Sequence, residues 1–192
     1  MTAVVVIASR SNPLLVRVRK LARTPAAYRK LGTVWLEGEH LCQALRLRGH
    51  AATHALVTES AWQQAHLREL AAWASQVAVV AETLYASVSA LESPAGIGFL
   101  IDAPRTQAVR PDVATVVLDR VQDAGNVGSI LRSASALGFG QVLALEGTAA
   151  LWSPKVLRAG MGAHFALGLV EGLSADDLAA LSLPLLATSS HS

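Results

Sequence analysis

The sequence predicts an α/β fold built from two successive units. Short apolar runs alternate with helical stretches along most of the 192 residues. This alternation is interrupted once, at residues 102–112, by a polar stretch with a proline near each end. Because 52% of the residues are hydrophobic and only 16% are charged, a mainly disordered protein is excluded. We therefore expect a unit at residues 1–104, a linker at 105–112 and a second unit at 113–192.

In the first unit, apolar residues recur every three or four positions from Leu14 to Leu21, with basic residues between them, which predicts a basic helix. The apolar start at Ala3–Ala8 favours a short strand over a signal peptide, because no basic region precedes it. The elements expected after the basic helix alternate regularly: strand Thr33–Glu37, helix Gly38–Arg48, strand Ala55–Thr58, helix Ala61–Ala74, strand Val77–Val80, helix Glu82–Leu91 and strand Gly98–Ile101.

The second unit repeats this alternation with clearer boundaries. Its first strand, Thr115–Leu118, is entirely apolar before Asp119, as expected of a buried parallel strand. Capping residues favour helices that end at Gly138, that begin at Ser153 and Pro154, and that open at Ser174. The expected order is strand Thr115–Leu118, helix Asn126–Leu137, strand Gln141–Leu145, a helix from Ser153 to Ala159, strand Phe165–Val170, a helix after Ser174 and strand Leu183–Ala187.

Composition excludes several function classes. The single cysteine, Cys42, excludes a disulfide framework or a cysteine metal cluster within one chain, and the histidines lack metal-ligand spacing, so no metal site is expected. Every uncharged run is shorter than 18 residues, so no membrane span is expected. The formal net charge is only +2, but the first 30 residues hold seven Lys or Arg and no acid. That segment is a candidate anion-binding face.

The segment from Asp119 to Ala134 is the most informative part of the sequence. A buried strand ends in a polar turn, Gly125 allows close backbone approach, and a helix follows from Asn126. Free N–H groups at a helix start suit a phosphate or a carboxylate. Arg132 lies six residues after Asn126 in small or apolar surroundings, where it needs a partner. The residues alone leave two interpretations open: a capped helix with a salt-bridged arginine, or an anion site.

This segment resembles the first signature motif of the SpoU/TrmH family of RNA ribose 2′-O-methyltransferases, in the SPOUT superfamily. The strand, the polar turn, Asn126–Gly128 and Arg132 match the family spacing, and residues Ser153–Phe165 resemble its second motif. Gly160 stands where the family often has a small polar residue. The first unit is similar to the family's substrate-binding domain through Ser11–Pro13, the basic helix, Tyr28–Lys30, Leu36–Gly38 and Ser93–Ile97.

The resemblance implies a ribosomal-protein-like α/β substrate-binding domain followed by a trefoil-knotted SPOUT domain with a mostly parallel sheet. The implied reaction moves a methyl group from S-adenosylmethionine to a ribose 2′-OH of RNA, with ribosomal RNA favoured over transfer RNA. Asn126 and Arg132 are the implied catalytic residues. Since a guanidinium is a poor base, we favour Arg132 as the group that holds a phosphate and orients the ribose. For RNA contacts we expect Arg10, Arg17, Arg19, Lys20, Arg23, Arg29 and Lys30, with Tyr28 available to stack.

The family's third motif, a Gly-Asn-Glu turn and a later Ser-Leu-Asn segment, is absent from these residues. We therefore expect the knot and the cofactor pocket to be incomplete in this chain, with Leu186, Ala187 and Thr188 as its cofactor-binding residues. A homodimer through the second unit and a cytoplasmic location are also implied. The small, apolar stretch Ala159–Ala163 independently suggests a surface for close packing on a second copy.

Two other functions compete with the methyltransferase. The first is a non-catalytic RNA-binding protein that keeps the scaffold, which the missing third motif favours and the intact Asn126 and Arg132 oppose. The second is a dinucleotide-binding protein, which is weak because no G-x-G-x-x-G follows the strand ending at Leu118.

Overall fold

The computed structural model of the protein describes residues 3–104 and 107–188, and confirms the expected α/β class. A five-stranded sheet and a three-stranded sheet each carry helices, and apolar side chains from both sheets join in one continuous buried cluster. None of the described helices combines the length and apolar character that crossing a bilayer requires.

The five-stranded sheet lies in the first part of the chain. Its strands are β1 (Ala3–Ile7), β2 (Thr33–Glu37), β3 (His54–Thr58), β4 (Gln76–Val80) and β5 (Ile97–Asp102). They lie in the order β1-β4-β3-β5-β2; β5 runs antiparallel to both neighbours, and the other pairs are parallel. The helices of this part are α1 (Pro13–Arg23), α2 (Ala27–Leu31), α3 (Glu39–Leu47), α4 (Glu59–Gln63), α5 (Ala65–Ala71) and α6 (Glu82–Val88).

The second sheet is parallel throughout. Its strands, in sheet order, are β6 (Thr115–Leu118), β7 (Gln141–Leu145) and β8 (Gly168–Leu173). Helices α7 (Ala124–Ala136) and α8 (Pro154–Gly160) accompany them, with 3₁₀ turns at Ala163–Ala166 and Asp176–Ala180. Because the strands are parallel, their carboxyl ends share one edge of the sheet, where loops converge.

Several predicted elements need correction. Helix α2 was not expected, and the predicted helix Ala61–Ala74 is divided into α4 and α5 by Gln64, which has an extended backbone. The strand expected at Phe165 begins only at Gly168, since a 3₁₀ turn precedes it. Ser174 is not the cap of a helix as expected: only a 3₁₀ turn follows, with Ala175 at its N-cap, and the Ser174 N–H and hydroxyl both donate to the Asp177 carboxylate, at 2.7 and 2.8 Å.

The fourth strand predicted at Leu183–Ala187 is not formed. This segment is irregular and exposed, and Leu186 is 96% accessible. Pro184 interrupts it, and a proline has no N–H to donate to a neighbouring strand. Within the described residues, the second sheet therefore ends at β8.

The polar stretch between the sheets is anchored at its second half. The buried side chain of Gln141 donates to the Arg110 carbonyl at 2.7 Å and accepts from the Arg110 N–H at 3.1 Å. Residues 105 and 106 of the predicted linker lie outside the described residues. Polar contacts also join the first and second parts of the chain, from Tyr28 and Arg29 on α2 to Glu171 on β8 and from His50 to the Phe165 carbonyl. The division into two domains stays a prediction.

Candidate active site

The turn after β6 starts helix α7 two residues earlier than the sequence suggested. Asp123 is the N-cap: its carboxylate accepts the Asn126 N–H at 2.7 Å, so Ala124 and Gly125 already belong to the helix. Asn126 thus lies in the first turn of α7, with an exposed side chain. The polar turn places Asn126 near the carboxyl edge of the second sheet.

Helix α7 is fixed by unusually close packing on α8. A Cβ added to Gly128 would lie 2.3 Å from the Cβ of Ala159 and 2.8 Å from the Gly160 nitrogen. Val127, Leu131 and Ala134 complete the buried face. Because the helices touch through a glycine, the outer face of α7 is held rigidly relative to the sheet.

The small stretch Ala159–Ala163 packs within the chain, which corrects its interpretation as a free dimer surface. Ala159 meets Gly128 of α7, and a Cβ on Gly162 would lie 2.5 Å from Ala44 of α3. Only Met161 keeps substantial exposure, at 47%.

The Arg132 side chain is exposed on α7 and has neither an ion pair nor a hydrogen bond in the described part of the chain. Of the two interpretations that the residues left open, the salt-bridged arginine is therefore not the arrangement observed. An exposed, unpaired guanidinium is available to bind an anion.

The loops at the carboxyl edge are joined to one another. Thr148 donates from Oγ1 to the Leu118 carbonyl at 3.0 Å, and the Ala149 N–H donates to the Val121 carbonyl at 2.9 Å. These bonds hold the turn after β7 against the turn before α7. Beside them lies a cleft of about 200 Å³, here called the edge cleft, which is lined by Arg29, Ala144, Leu145, Glu146, Gly147, Thr148, Glu171 and Gly172.

A second cavity of about 400 Å³ lies between the two sheets and shares three residues with the edge cleft: Arg29, Glu171 and Gly172. Tyr28 and Trp152 also line it. The two clefts therefore meet at the Arg29–Glu171 ion pair, whose nitrogen and oxygen are 3.1 Å apart.

Most of the expected RNA-contacting side chains are accessible. Arg19 is half-buried, whereas the exposed members of the set are Arg10, Arg17, Lys20, Arg23, Arg29 and Lys30. Two of the arginines on α1 also brace the fold, since Arg19 and Arg23 both donate to the Ser87 carbonyl, at 3.3 and 3.2 Å.

Tyr28 is not available to stack, which corrects its expected role. It is only 6% exposed, and its hydroxyl donates to Glu171 at 2.5 Å. Burial, followed by the nearby Glu171 carboxylate, raises the pKa of the Tyr28 hydroxyl, so it remains a hydrogen-bond donor. Glu171 was not singled out from the sequence; the only signal was a single acid directly after an apolar run.

His164 is completely enclosed and has no catalytic access. Its Nε2 lies 2.9 Å from the Leu151 carbonyl, and its Nδ1 has no partner among the described residues. Burial lowers its pKa to about 4, so the ring is neutral near pH 7.

The residues expected to bind the cofactor, Leu186, Ala187 and Thr188, lie in the exposed segment after the last 3₁₀ turn. They do not line either of the two clefts. Asn126 and Arg132 do not line these clefts either; the walls of the edge cleft come mainly from the turns after β7 and β8. Nor do the His, Cys, Asp and Glu side chains of the described part of the chain form a group that could hold a metal ion.

Known proteins resemble this chain in sequence and in fold. Residues 114–189 match the sequence profile of the SpoU rRNA methylase family. A zebrafish (Danio rerio) protein named mitochondrial rRNA methyltransferase 3A is 35% identical over 176 residues, which cover 85% of this chain and 39% of that protein. The chain thus spans about two-fifths of the length of this relative.

Two solved structures share the arrangement of both sheets. A crystal structure titled RNA 2′-O ribose methyltransferase has a TM-score of 0.75 and 26% identity, covering 97% of this chain and 74% of that one. An AdoMet-bound rRNA methyltransferase from Sinorhizobium meliloti has a TM-score of 0.77 at 22% identity, covering 92% and 68% of the two chains. The profile match includes β6, α7, β7, α8 and β8, so the second sheet and its helices are the part of the chain that is similar to the SpoU rRNA methylase family.

Proposed function

We propose that the protein transfers a methyl group from S-adenosylmethionine to a ribose 2′-OH of ribosomal RNA. The observation that carries this proposal is the exposed, unpaired Arg132 on a helix whose first turn holds Asn126, in a segment similar to the SpoU family. Two similar solved structures support the reaction, since one is of an RNA 2′-O ribose methyltransferase and the other of an AdoMet-bound rRNA methyltransferase.

The reaction is an in-line displacement in which the ribose oxygen forms a bond to the methyl carbon while the carbon–sulfur bond breaks. The electron pair leaves with sulfur, and the hydroxyl proton passes to a base or to water. When bound, S-adenosylmethionine supplies the electrophilic methyl group. The protein's task is therefore to align the hydroxyl and to assist loss of its proton.

Arg132 fits the aligning role better than the role of base. A guanidinium stays protonated near neutral pH, but it binds a phosphate through two parallel N–H bonds. Holding the phosphate next to the target ribose would fix the direction of its 2′-OH. The amide of Asn126 would add hydrogen bonds in the same site, because its side chain lies on the accessible first turn of α7.

The described residues form only part of a cofactor site. The edge cleft is lined by the turn from Leu145 to Thr148, in which the Glu146 and Thr148 N–H groups are already bonded to the Leu173 and Leu145 carbonyls. Its volume of about 200 Å³ is below the range of roughly 300–1,000 Å³ typical of sites for ligands of this size. Leu186, Ala187 and Thr188 stay our proposal for a further wall.

The basic face around α1 is the proposed RNA contact. Its exposed side chains are those of Arg10, Arg17, Lys20 and Arg23, and Arg29 and Lys30 follow on α2. Contacts of this kind bind the RNA backbone without reading its sequence.

Four finer expectations belong to the same proposal. They are two domains at 1–104 and 113–192, a trefoil knot in the second, a homodimer, and a cytoplasmic location.

Exposed apolar side chains at the ends of α7 and α8, Leu137 and Met161, support an interface in the second domain. Sedimentation of the intact protein tests the dimer: a monomer at micromolar concentration contradicts it. Cell fractionation tests the location.

Replacing Arg132 by alanine tests the proposed function. We expect methyl transfer to ribosomal RNA to fall by about 10²-fold or more, the loss expected when a reacting group is misplaced. The melting temperature should not change, because Arg132 makes no contact that stabilises the described structure. Transfer of a tritiated methyl group from S-adenosylmethionine to purified ribosomal RNA measures the rate.

Arg68→Ala is the matched control, since Arg68 is an exposed arginine on α5 with no ion pair in the described structure. Near-normal turnover by Arg132→Ala would overturn the role of Arg132. A wild-type protein that binds RNA but transfers no methyl group would instead establish the competing function, a non-catalytic RNA-binding protein.

A further inference from the structure

Arg120 has an unusual backbone conformation. Two non-glycine residues have a positive φ in the described part of the chain, Met161 at +50° and Arg120 at +52°. Met161 is explained by its position, because it ends helix α8 as a left-handed C-cap. Arg120 caps no helix: it comes two residues after β6, where the chain turns towards α7. A residue with a Cβ is disfavoured in this region unless the surroundings impose it.

The Arg120 side chain packs on a second residue with a positive φ. Its side-chain stem lies over Gly147, where an added Cβ would be 3.0 Å from the Arg120 Cγ. Gly147 itself has a φ of +87°, so two left-handed residues from neighbouring turns face each other. The Asp119 carboxylate then holds the guanidinium from one side, with Oδ1 2.9 Å from Nε and Oδ2 3.1 Å from Nη2.

Stability does not account for this arrangement. The Arg120 and Asp119 side chains are 72% and 56% exposed, and an exposed ion pair contributes little to folding. A backbone outlier that stability does not explain is a reason to consider function. The Asp119 carboxylate accepts hydrogen bonds from two of the five N–H groups of the Arg120 guanidinium, which fixes the plane of the guanidinium. The other three N–H groups remain available to a ligand.

Arg120 lies close in the fold to the first turn of α7. It lies at the carboxyl edge of the second sheet, six residues before Asn126. The Val121 carbonyl beside it accepts from the Ala149 N–H, which fixes its turn to the turn after β7. Arg120 therefore lies at the edge of the sheet where α7 begins, with Asn126 in the first turn of that helix.

We propose that Arg120 is a positioning residue that binds a backbone phosphate of the RNA next to the target nucleotide. The inference rests on the proposed function and adds a second phosphate contact to that of Arg132. The left-handed backbone directs the guanidinium along the edge, and Asp119 fixes the plane of the guanidinium before RNA arrives. Little side-chain freedom is then lost on binding.

Arg120→Asn separates this role from a structural one, because asparagine tolerates a positive φ better than arginine does. We expect its melting temperature to equal or exceed that of the wild type. The KM for purified ribosomal RNA should rise about tenfold, the usual scale for one hydrogen-bonded charge. The KM for S-adenosylmethionine should not change. The slope of log Kd for RNA against log salt should become less steep by about one.

Arg120→Lys should recover part of the salt dependence but not the full affinity, since lysine lacks the planar fork. Arg68→Ala should match the wild type in every measurement. An unchanged RNA KM and salt slope in Arg120→Asn would overturn the proposal. So would a raised KM for S-adenosylmethionine, which would place Arg120 on the cofactor's carboxylate, or a large fall in melting temperature, which would make it structural.

Failure of the proposed function is distinguishable from failure of this inference. A wild-type protein that binds RNA without methylating it overturns the proposed methyltransferase function. The RNA Kd of Arg120→Asn can still be compared with that of the wild type, so this inference remains testable. A wild-type protein that does not bind ribosomal RNA overturns both.

Discussion

Helices α1 and α7 are built alike and hold their arginines differently. Each begins at a side-chain cap, Asn12 for α1 and Asp123 for α7, and each buries one apolar face. On α1, Arg19 and Arg23 turn back onto the Ser87 carbonyl. On α7, Arg132 is exposed and unpaired in the described structure. Two arginines of α1 are therefore held against the fold, whereas Arg132 of α7, like Arg17 of α1, is exposed without a partner in the described structure.

The supports beneath the two helices also differ. Helix α1 packs through ordinary apolar side chains such as Leu15 and Val18. Helix α7 packs through Gly128 onto α8 and also contacts the 3₁₀ turn that holds the buried His164. The rigid outer face of α7 thus depends on a glycine contact and on a neutral imidazole, and each can be perturbed selectively.

The largest expected effect is acid destabilisation beneath α7. Burial holds the His164 pKa at about 4, below the value of 6.5 for a free histidine. Between these values the unfolded chain binds a proton that the folded chain does not. The free energy of unfolding should therefore fall as the pH drops from 6.5 to 4, by about 3 kcal/mol in total. Hydrogen exchange should accelerate in α7 at a higher pH than in α1.

His164→Gln provides the control, because its amide can still donate to the Leu151 carbonyl but does not titrate. Its free energy of unfolding should depend less on pH in this window than that of the wild type. Equal pH slopes for the two proteins, measured by urea denaturation, would show that His164 is not the group responsible.

A smaller effect is expected from a methyl group placed between α7 and α8. In Gly128→Ala the new Cβ would lie 2.3 Å from the Ala159 Cβ, so the helices must separate. Overpacking should lower the free energy of unfolding by about 2 kcal/mol, even though alanine favours the helix more than glycine does. Ser129→Ala, the exposed neighbour, should change it by less than about 0.5 kcal/mol. Equal stabilities of the two variants would contradict the close contact.

The smallest expected change in the free energy of unfolding comes from replacing arginines on α1. Arg19→Ala should cost about 0.5–1 kcal/mol, because it removes a part-buried hydrogen bond to the Ser87 carbonyl. Arg17→Ala on the same helix should be neutral within about 0.5 kcal/mol, since Arg17 is exposed. Thermal unfolding at matched pH distinguishes the two. If both variants are equally stable, the bracing contact does not operate in solution.

The strands were the easiest part to predict. The bounds of β2, β6 and β7 agree with the sequence analysis residue for residue, because each is a continuous β-prone run followed directly by a glycine or an acidic residue. The segment Leu183–Ala187 has a similar apolar character but forms no strand, since a strand also needs a neighbour with which to pair. No run of residues carries that information by itself.

The candidate site was predicted in part. Asn126 and Arg132 are placed by local rules, namely a polar turn after a strand, a helix cap and helical spacing. Glu171 and Arg120 were missed, because their significance comes from partners in other turns: Tyr28 and Arg29 for Glu171, and Gly147 for Arg120. Tyr28 was misjudged for the same reason, since its burial depends on a strand more than 140 residues away.

The sequence by itself determined the α/β alternation, the helix caps and the family signature on α7, because these depend on residues within a few positions of one another. Only the tertiary structure decided which arginine side chains have no hydrogen-bond or ion-pair partner among the described residues. Whether an arginine meets a carbonyl, as Arg19 does, or stays unpaired, as Arg132 does, depends on which distant backbone groups lie within about 3 Å of it. Only the packed sheets and helices set those distances.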